Sequence, residues 1–405
     1  MDNLTHTVVG LAVGAVIHRS FAAEPSAPRQ QTRHRLLLTA AAAASNFPDL
    51  DLLLVKLLPA PLGYLLHHRG HTHTLLLEIP QALLLCALLW LLWPNARALL
   101  KSSAGACRAL VLAVVAGFLL HIGMDFMNSY GVHPFYPFDM RWFYGDLVFI
   151  IEPVFWVGAG IPLIMTIRRP WLRWAWVAIL ALVLIACMPL GYLHEASLGL
   201  LAAIGLLAGL ASKVRGGATR AGFAVGLGMC LAFVGVQALG ASTARGLLND
   251  ELALRAPASR LVDAALTGYP ANPLCWNFAA IERDPARDDY HVRRGVLSLS
   301  PALMPVTSCP TGLTGHVYAA PGATIALLSD NAGSLKALRT RAATDCWLQA
   351  WLRFSRTPML NGAVASDLRF STGLAPNFST IDLDASKGCP APVPPWGMPR
   401  ADLLE

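Results

Sequence analysis

The sequence predicts a mostly α-helical membrane bundle of about eight spans, the first ones short or broken, followed by a C-terminal soluble domain that is α+β or mainly β. Three observations support this prediction. Of the 405 residues, 55% are hydrophobic and only 14% are charged, which is unusual for a soluble domain. Long apolar runs recur up to residue 242, and the composition changes abruptly near residue 243.

Eight apolar runs are candidate spans, because a hydrocarbon core about 30 Å thick needs roughly 20 apolar residues in a helix. They lie near 4–18, 36–58, 74–93, 109–127, 147–167, 172–192, 196–212 and 221–241. A cleavable signal peptide is the competing interpretation of the first run. A signal peptide would require a basic residue before its apolar segment, and none precedes Arg19. We therefore retain this run as a span.

The distribution of Lys and Arg predicts the orientation of the bundle. Thirteen of these residues lie in or beside the connections 19–35, 94–108, 168–173 and 212–220, whereas only Lys56, Arg69 and Arg141 lie in the opposite connections. Cytoplasmic loops carry the excess of positive charge, so both termini are expected outside the cytoplasm. The net charge of +7 then mainly reflects orientation, and no nucleic acid partner is expected.

Residues 243–405 are predicted to form the extracytoplasmic soluble domain, and residues 1–242 the bundle. Alternation of apolar and polar residues predicts strands at 290–299, 315–318, 351–355 and 367–372. Residues 333–350 are more typical of a helix. The proline-rich stretch 389–399 is expected to pack as an extended strap.

Four cysteines lie beyond the last apolar run, namely Cys275, Cys309, Cys346 and Cys389. An oxidising compartment outside the cytoplasm would favour two disulfides, with three possible pairings. The alternative is four free buried thiols.

The first chemical signal is a pair of ionisable residues inside an apolar run. His121 and Asp125 are four residues apart, so they project from one helix face, with Asn128 following on that face. An ionisable group within a membrane span is unfavourable unless it is paired, hydrated or metal-bound. The pair therefore suits two ligands of one metal, and the alternative is a hydrogen-bonded pair between helices.

A histidine-rich segment, His67-His-Arg-Gly-His-Thr-His73, precedes the third run. Gly70 would allow the backbone to turn so that His68 and His73 converge as imidazole ligands. A surface tract that binds metal only adventitiously is the competing interpretation.

The second run is broken by Asn46-Phe-Pro-Asp-Leu-Asp51, because Pro48 lacks a backbone donor. Irregular backbone at membrane depth is tolerated where it is buried in protein or lines a polar cavity. The carboxylates of Asp49 and Asp51 would be unfavourable there without a cation, so metal ligation is favoured over a simple turn.

Topology adds further residues to this set. His6 begins the first run on the same outward side as the other elements. Asp146 and Glu152, around the fifth run, are possible additional ligands, although Asp146 also suits a helix N-cap. The aromatic loop 128–141 is a candidate mouth for a substrate. Gly10 and Gly14 are expected to allow close helix packing.

These motifs together resemble the YdjM-type predicted membrane-bound metal-dependent hydrolases, over roughly residues 1–160. The resemblance rests on Asp2-Asn-Leu-Thr-His6, Asn46-Phe-Pro-Asp-Leu-Asp51, His68-Arg-Gly-His-Thr-His73, His121-Ile-Gly-Met-Asp125 and Asn128-Ser-Tyr-Gly131. It implies a multi-pass protein of the bacterial inner membrane. It also implies metal ligation by His6, Asp49, Asp51, His68, His73, His121 and Asp125.

The order of the motifs is more distantly similar to that of zinc-dependent phospholipases C and P1-type nucleases. That similarity implies one to three divalent ions, most simply Zn²⁺. Those relatives carry further ligands late in the series, where only Asp146 or Glu152 could substitute in this chain.

Two functions follow. In the first, bound metal activates water for hydrolysis of a phosphoester, with Asp49 or Asp51 accepting the proton and Arg69 neutralising developing charge. Membrane lipid, as a phospholipid or lipid-linked phosphate, is the expected substrate class. In the second, the buried cluster transports or senses metal ions or protons. The predicted cytoplasmic half carries few such residues, so the hydrolase is favoured.

Overall fold

A computed structural model of the chain describes residues 1–213, 220–284, 286–314, 322–371 and 376–404. Ten helices precede the first strand: α1 (Asn3–Ser20), α2 (Ala27–Ala44), α3 (Leu62–His67), α4 (Leu75–Leu92), α5 (Pro94–Ser102), α6 (Ala104–Phe126), α7 (Pro153–Met165), α8 (Pro170–Ala186), α9 (Glu195–Lys213) and α10 (Arg220–Arg255). The part that follows has strands β1 (Arg260–Tyr269), β2 (Asn272–Asp284), β3 (Asp289–Ser298) and β4 (Ile325–Ser334), then α11 (Leu335–Thr344) and α12 (Cys346–Leu352). It ends with β5 (Pro358–Asn361), β6 (Val364–Asp367), β7 (Ile381–Asp382) and α13 (Ala401–Leu404).

The predicted helical membrane protein is confirmed in its coarse form. Within the described ranges, α4, α6, α9 and α10 are long and apolar enough to cross a membrane, and α7 and α8 are shorter apolar helices. Each of the eight predicted runs contains a helix. The number of eight membrane crossings stays a prediction.

The second run is interrupted where Pro48 predicts. Helix α2 ends at Ala44, and the chain continues as two 3₁₀ turns, Phe47–Leu53 and Val55–Leu57. Both Asp49 and Asp51 lie in the first of these turns and are buried. The break thus carries two carboxylates into the interior of the protein.

Close packing brings both α1 and α6 against α2, and α1 and α6 also contact each other. A Cβ atom added at Gly10 would lie 2.9 Å from the carbonyl oxygen of Ala41, and one at Gly14 would lie 2.6 Å from that of Leu37. A Cβ atom added at Gly117 of α6 would lie 2.5 Å from the Cβ of Ala44. The predicted role of Gly10 and Gly14 in helix packing is confirmed.

The C-terminal part is α+β, as one of the two predicted alternatives states. Strands β1 to β4 form an antiparallel sheet in sequential order, and β5 to β7 form a second one. Short connections join β1 to β2 and β2 to β3, whereas β3 and β4 are separated by residues 299–324.

The predicted elements of this part have mixed outcomes. The strand at 290–299 is confirmed as β3, and the helix at 333–350 is confirmed as α11 and α12. The predicted strand at 351–355 is wrong, because α12 runs to Leu352. Asp345 caps this helix by accepting hydrogen bonds from the N–H groups of Trp347 and Leu348. Of the predicted strand 367–372, Asp367 ends β6 and Leu368–Phe370 form a 3₁₀ turn, so the strand is wrong at 368–370. Residue 372 and the predicted strand 315–318 lie outside the described residues. The stretch 389–399 has no regular structure, as predicted.

Helix α10 continues through the predicted boundary at residue 243 and ends at Arg255. Its last turns bury Ala244, Leu248 and Leu252 in a cluster with Leu266 and Trp276 of the first sheet. The composition therefore changes where the helix leaves apolar surroundings and begins to pack on the sheet. The division into 1–242 and 243–405 stays a prediction.

A buried ionic network joins the C-terminal part to the loop that follows α6. Arg356 donates to Asp146 at 2.8 Å and to Asp263 at 2.7 Å. Burial alone would raise the pKa of Asp263, but the guanidinium of Arg356 outweighs it and holds the pKa below its usual range. The indole of Trp396, in the strap, donates to the carbonyl oxygen of Leu66 at 2.7 Å. The C-terminal part therefore packs against the same end of the bundle as the broken second run.

Two disulfides are present, Cys275–Cys309 and Cys346–Cys389. They select one of the three possible pairings. The other four cysteines, Cys86, Cys107, Cys187 and Cys230, are free.

Alkylation of the denatured protein will test this pairing. Without reductant, we expect four of the eight cysteines to be labelled, and all eight after reduction, because only thiols react with the reagent. Peptide mass spectrometry under non-reducing conditions should find the two cross-linked pairs. Labelling of all eight cysteines without reductant would contradict the structure.

Candidate metal centre

Four buried side chains meet at the C-terminal end of α6. His121 and Asp125 come from α6, Asp49 from the first 3₁₀ turn after α2, and His73 from a 3₁₀ turn before α4. One ligand atom from each lies within 4.8 Å of the others. The sequence predicted all four, and the structure brings them together from three separate elements.

The distances in this group suit a tetrahedral metal. The Nε2 atom of His73 lies 3.4 Å from Asp49 Oδ1, 3.2 Å from Asp125 Oδ2 and 2.9 Å from His121 Nε2. The Nε2 atom of His121 lies 3.7 Å from Asp49 Oδ1 and 3.6 Å from Asp125 Oδ2. Zn²⁺ with bonds of roughly 2.0–2.1 Å separates its tetrahedral ligands by about 3.3 Å. The buried Asp125 Oδ2 has no hydrogen-bond partner, as expected of a ligand atom.

The backbone of α2 orients His121 for this role. The Nδ1 atom of His121 lies 2.7 Å from the carbonyl oxygen of Ser45. A carbonyl oxygen only accepts, so Nδ1 carries the proton and Nε2 presents its lone pair to the centre. Such a second contact commonly fixes the tautomer of a metal-bound histidine. The sequence alone did not identify Ser45, because its contribution comes from the main chain.

A second group shares Asp49 with the first and adds Asp51 and His68. The Nδ1 atom of His68 lies 3.0 Å from Asp51 Oδ1. The other oxygen of Asp51 accepts from Arg69 N at 2.9 Å and from Thr72 Oγ1 at 2.8 Å. Asp51 thus holds the histidine-rich segment in its turn. Thr72 was not predicted, although it lies inside the motif.

His6 lies beside the four-residue group. Its ring stacks on that of His121 with centroids 4.2 Å apart, and its Nε2 atom lies 3.2 Å from Asp125 Oδ1. The amino group of Met1 also contacts Asp125. The close packing of α1 on α2 therefore places His6 at the predicted site, and its ligation stays a prediction.

Arg69 is buried in this cluster with its backbone in the left-handed region, at φ 58°. Its guanidinium lies 3.0 Å from Asp125 Oδ1 and donates to Asn128 Oδ1 at 2.8 Å. Asn128 therefore contacts the cluster indirectly, through its hydrogen bond with Arg69.

With its histidines neutral, as metal ligands are, the cluster holds more buried negative than buried positive charge. Three carboxylates, Asp49, Asp51 and Asp125, face the guanidinium of Arg69 and the amino group of Met1. Burying an uncompensated charge is strongly unfavourable. The donor set and its charge therefore fit a divalent cation, and this Asp/His cluster could hold one.

Asp146 and Glu152 lie outside the cluster, which corrects their proposed use as extra ligands. Asp146 binds Arg356 and Arg245. Glu152 accepts hydrogen bonds from Val154 N at 3.1 Å, as the N-cap of α7, and from Ala271 N at 3.0 Å. The alternative reading of Asp146 as an N-cap is therefore also wrong. Both residues hold the C-terminal part against the bundle.

Two other histidines of the rich segment also point elsewhere. His71 packs against Tyr136 and Trp396, and both ring nitrogens of the buried His67 lack a hydrogen-bond partner. This agrees with the resemblance, which left both outside the ligand set.

Comparison with known proteins is consistent with this site. The chain is 27% identical over 158 residues to the "Uncharacterized protein YfhP" of Bacillus subtilis, a stretch that covers 39% of this chain and 44% of that relative. The match thus spans less than half of the length of either protein. No solved structure matches. The model of the YdjM inner membrane protein family matches residues 1–193, which contain every predicted ligand. Over residues 1–193, just under half of its length, the chain is therefore similar to the YdjM inner membrane protein family.

Proposed function

We propose that the protein is a membrane-bound metal-dependent hydrolase that acts on a phosphoester or lipid-like substrate at the outer face of the inner membrane. The observation that carries this proposal is the buried group Asp49, His73, His121 and Asp125, whose ligand atoms lie at distances suited to a metal. Two imidazoles and two carboxylates favour Zn²⁺. Asp49 belongs to both groups, which supports a centre with two ions.

The bound metal would supply an activated water and polarise the phosphoester. Asp49 is the better candidate to accept the proton, because Asp51 already accepts from Arg69 N and Thr72. Arg69 places a positive charge beside Asp125. Fixed charges of this kind stabilise negative charge that develops in a transition state.

Transport or sensing by the same cluster is the alternative, and it would need polar groups that continue through the bundle. His18 and His34 do meet at the opposite end of α1 and α2, with ring centroids 4.8 Å apart. From His6 to His18 the helix rises about 18 Å. The buried residues of α1 and α2 between these ends are mainly small or apolar: Val9, Gly10, Ala12, Gly14, Leu37, Ala40, Ala41 and Ala44. This packing favours a site reached from one side, as in an enzyme.

The proposed orientation places the C-terminal domain outside the cytoplasm. The bias of Lys and Arg supports it, and so do the two disulfides, since disulfides persist in oxidising compartments. The same orientation places the metal centre at the outer surface, beside membrane lipid.

Metal analysis tests the centre. The purified protein should contain near-stoichiometric zinc, and the content should fall at least tenfold in His121→Ala and Asp125→Ala, because each removes a ligand. His291→Ala, on β3, and Asp250→Ala, in the exposed last part of α10, are matched controls that should keep the metal. Unchanged metal in both ligand variants would refute the proposed centre.

Turnover tests the chemistry. Phosphodiester or phospholipid hydrolysis should stop with chelator and return with Zn²⁺. Arg69→Gln should lower kcat by about 10²–10³ while metal content is retained, since less positive charge then competes with the cation for Asp125. Metal without hydrolysis, together with ion flux in liposomes, would favour the alternative function.

Reporter fusion tests the orientation. Alkaline phosphatase folds actively only outside the cytoplasm, so a fusion within 256–259, between α10 and β1, should be active. A fusion between α5 and α6, after Ser102, should be inactive at equal expression. A silent fusion at 256–259 would overturn the proposed orientation.

A further inference from the structure

A cavity of about 340 Å³ lies between the outer end of the bundle and the C-terminal part. Its bundle side includes Tyr64, Asn128 and Tyr130, and its other side includes Asn277, Arg369 and Phe378. The cavity is therefore built from both parts of the chain. Its second wall lies beyond residues 1–193, to which the family match is confined.

The bundle wall of this cavity touches the candidate metal centre. The ring of Tyr64 stacks on His68 with centroids 5.0 Å apart. The guanidinium of Arg69 lies 4.9 Å from the ring centroid of Tyr130 and donates to Asn128. One layer of side chains thus separates the cavity from the predicted ligands. A substrate whose reacting group lay at the ligands would place its adjacent part in this cavity.

Two of the residues that line the cavity each carry a polar atom without a hydrogen-bond partner. These atoms are Asn128 Nδ2 and Asn277 Oδ1, and both are buried. The amide orientation of Asn128 is defined, because its oxygen accepts from Arg69 Nη1 at 2.8 Å and from Tyr130 N at 2.9 Å. Buried polar groups without partners are unfavourable and rare in folded proteins. A ligand in the cavity that draws these two amides toward it would satisfy one donor and one acceptor.

The charge in the cavity wall is already neutralised. Arg369 pairs with the buried Asp367 at 2.6 Å and also donates to the carbonyl oxygen of Ser129. The hydroxyl of Tyr130 donates to the carbonyl oxygen of Tyr64. Among the described residues that line the cavity, none carries a carboxylate.

The remaining surface is aromatic and neutral. Phe370 and Phe378 pack together with centroids 4.6 Å apart, and Phe378 lies edge-on to Tyr64 at 5.7 Å. Thr267 and Asn277 are paired in the register of β1 and β2 and both face the cavity. Aromatic faces beside neutral amides and hydroxyls suit a ring or chain that carries hydroxyl groups.

We propose that this cavity binds an uncharged, hydroxyl-rich head group, of the polyol or sugar class, next to the phosphate of the substrate. The C-terminal domain then selects the substrate through Asn277 and Phe378. This inference rests on the proposed hydrolase function of the metal centre.

Binding without turnover tests the inference. Chelator-treated full-length protein in nanodiscs is titrated by calorimetry with soluble glycerophosphoinositol and with glycerophosphocholine. The inositol compound should bind at least tenfold more tightly. Asn277→Ala and Phe378→Ala should each weaken its binding about tenfold, with thermal stability and reloaded zinc content unchanged.

Asn361→Ala, an exposed asparagine on β5, and Leu303→Ala, an apolar side chain that is 77% exposed against 47% for Phe378, are the controls and should bind normally. Equal binding of the two compounds, no binding, or insensitivity to both cavity variants would overturn the proposal. If the inositol compound binds selectively but zinc-loaded protein does not hydrolyse it, the hydrolase function is refuted and the head-group selection is not. Hydrolysis of both compounds with equal kcat/KM would refute the head-group selection alone.

Discussion

The arrangement of the bundle depends on the excess of buried carboxylates at the end of α6. Asp49, Asp51 and Asp125 are placed where charge is unfavourable without compensation. The broken second run supplies two of them, and the left-handed backbone of Arg69 turns its guanidinium toward Asp125. These irregularities bring a cation and imidazole nitrogens next to the three acids.

Small residues in the packed helices determine how closely these groups approach. Gly10 and Gly14 let α1 lie against the backbone of α2, and Gly117 does the same for α6. This contact places His6 on the ring of His121 and lets Ser45 orient that ring. The apolar interior that results leaves the polar cluster at one end of the bundle.

The sequence predicted the cluster well because its members belong to short motifs with a physical signature. His6, Asp49, Asp51, His68, His73, His121 and Asp125 form one continuous network of contacts. Asp146 and Glu152 carried the same signature of an acid beside an apolar run. Their partners, Arg356 and Ala271, lie 210 and 119 residues away, so local pattern could not separate a structural acid from a ligand. The prediction of a strand at 351–355 failed for a related reason. The residues alternate as in a strand, but the cap at Asp345 starts a helix that continues to Leu352.

Asp146 and Glu152 are structural acids that join two distant parts of the chain. They hold β1, β2 and Arg356 against the end of the bundle that carries the Asp/His cluster. The same docking positions Asn277 opposite Asn128 across a cavity. A ligand-sized space would not persist there unless both walls were held rigidly, because an unsupported interface would close over its unpaired amides. The buried ionic network between the two parts is therefore what keeps the cavity open beside the Asp/His cluster.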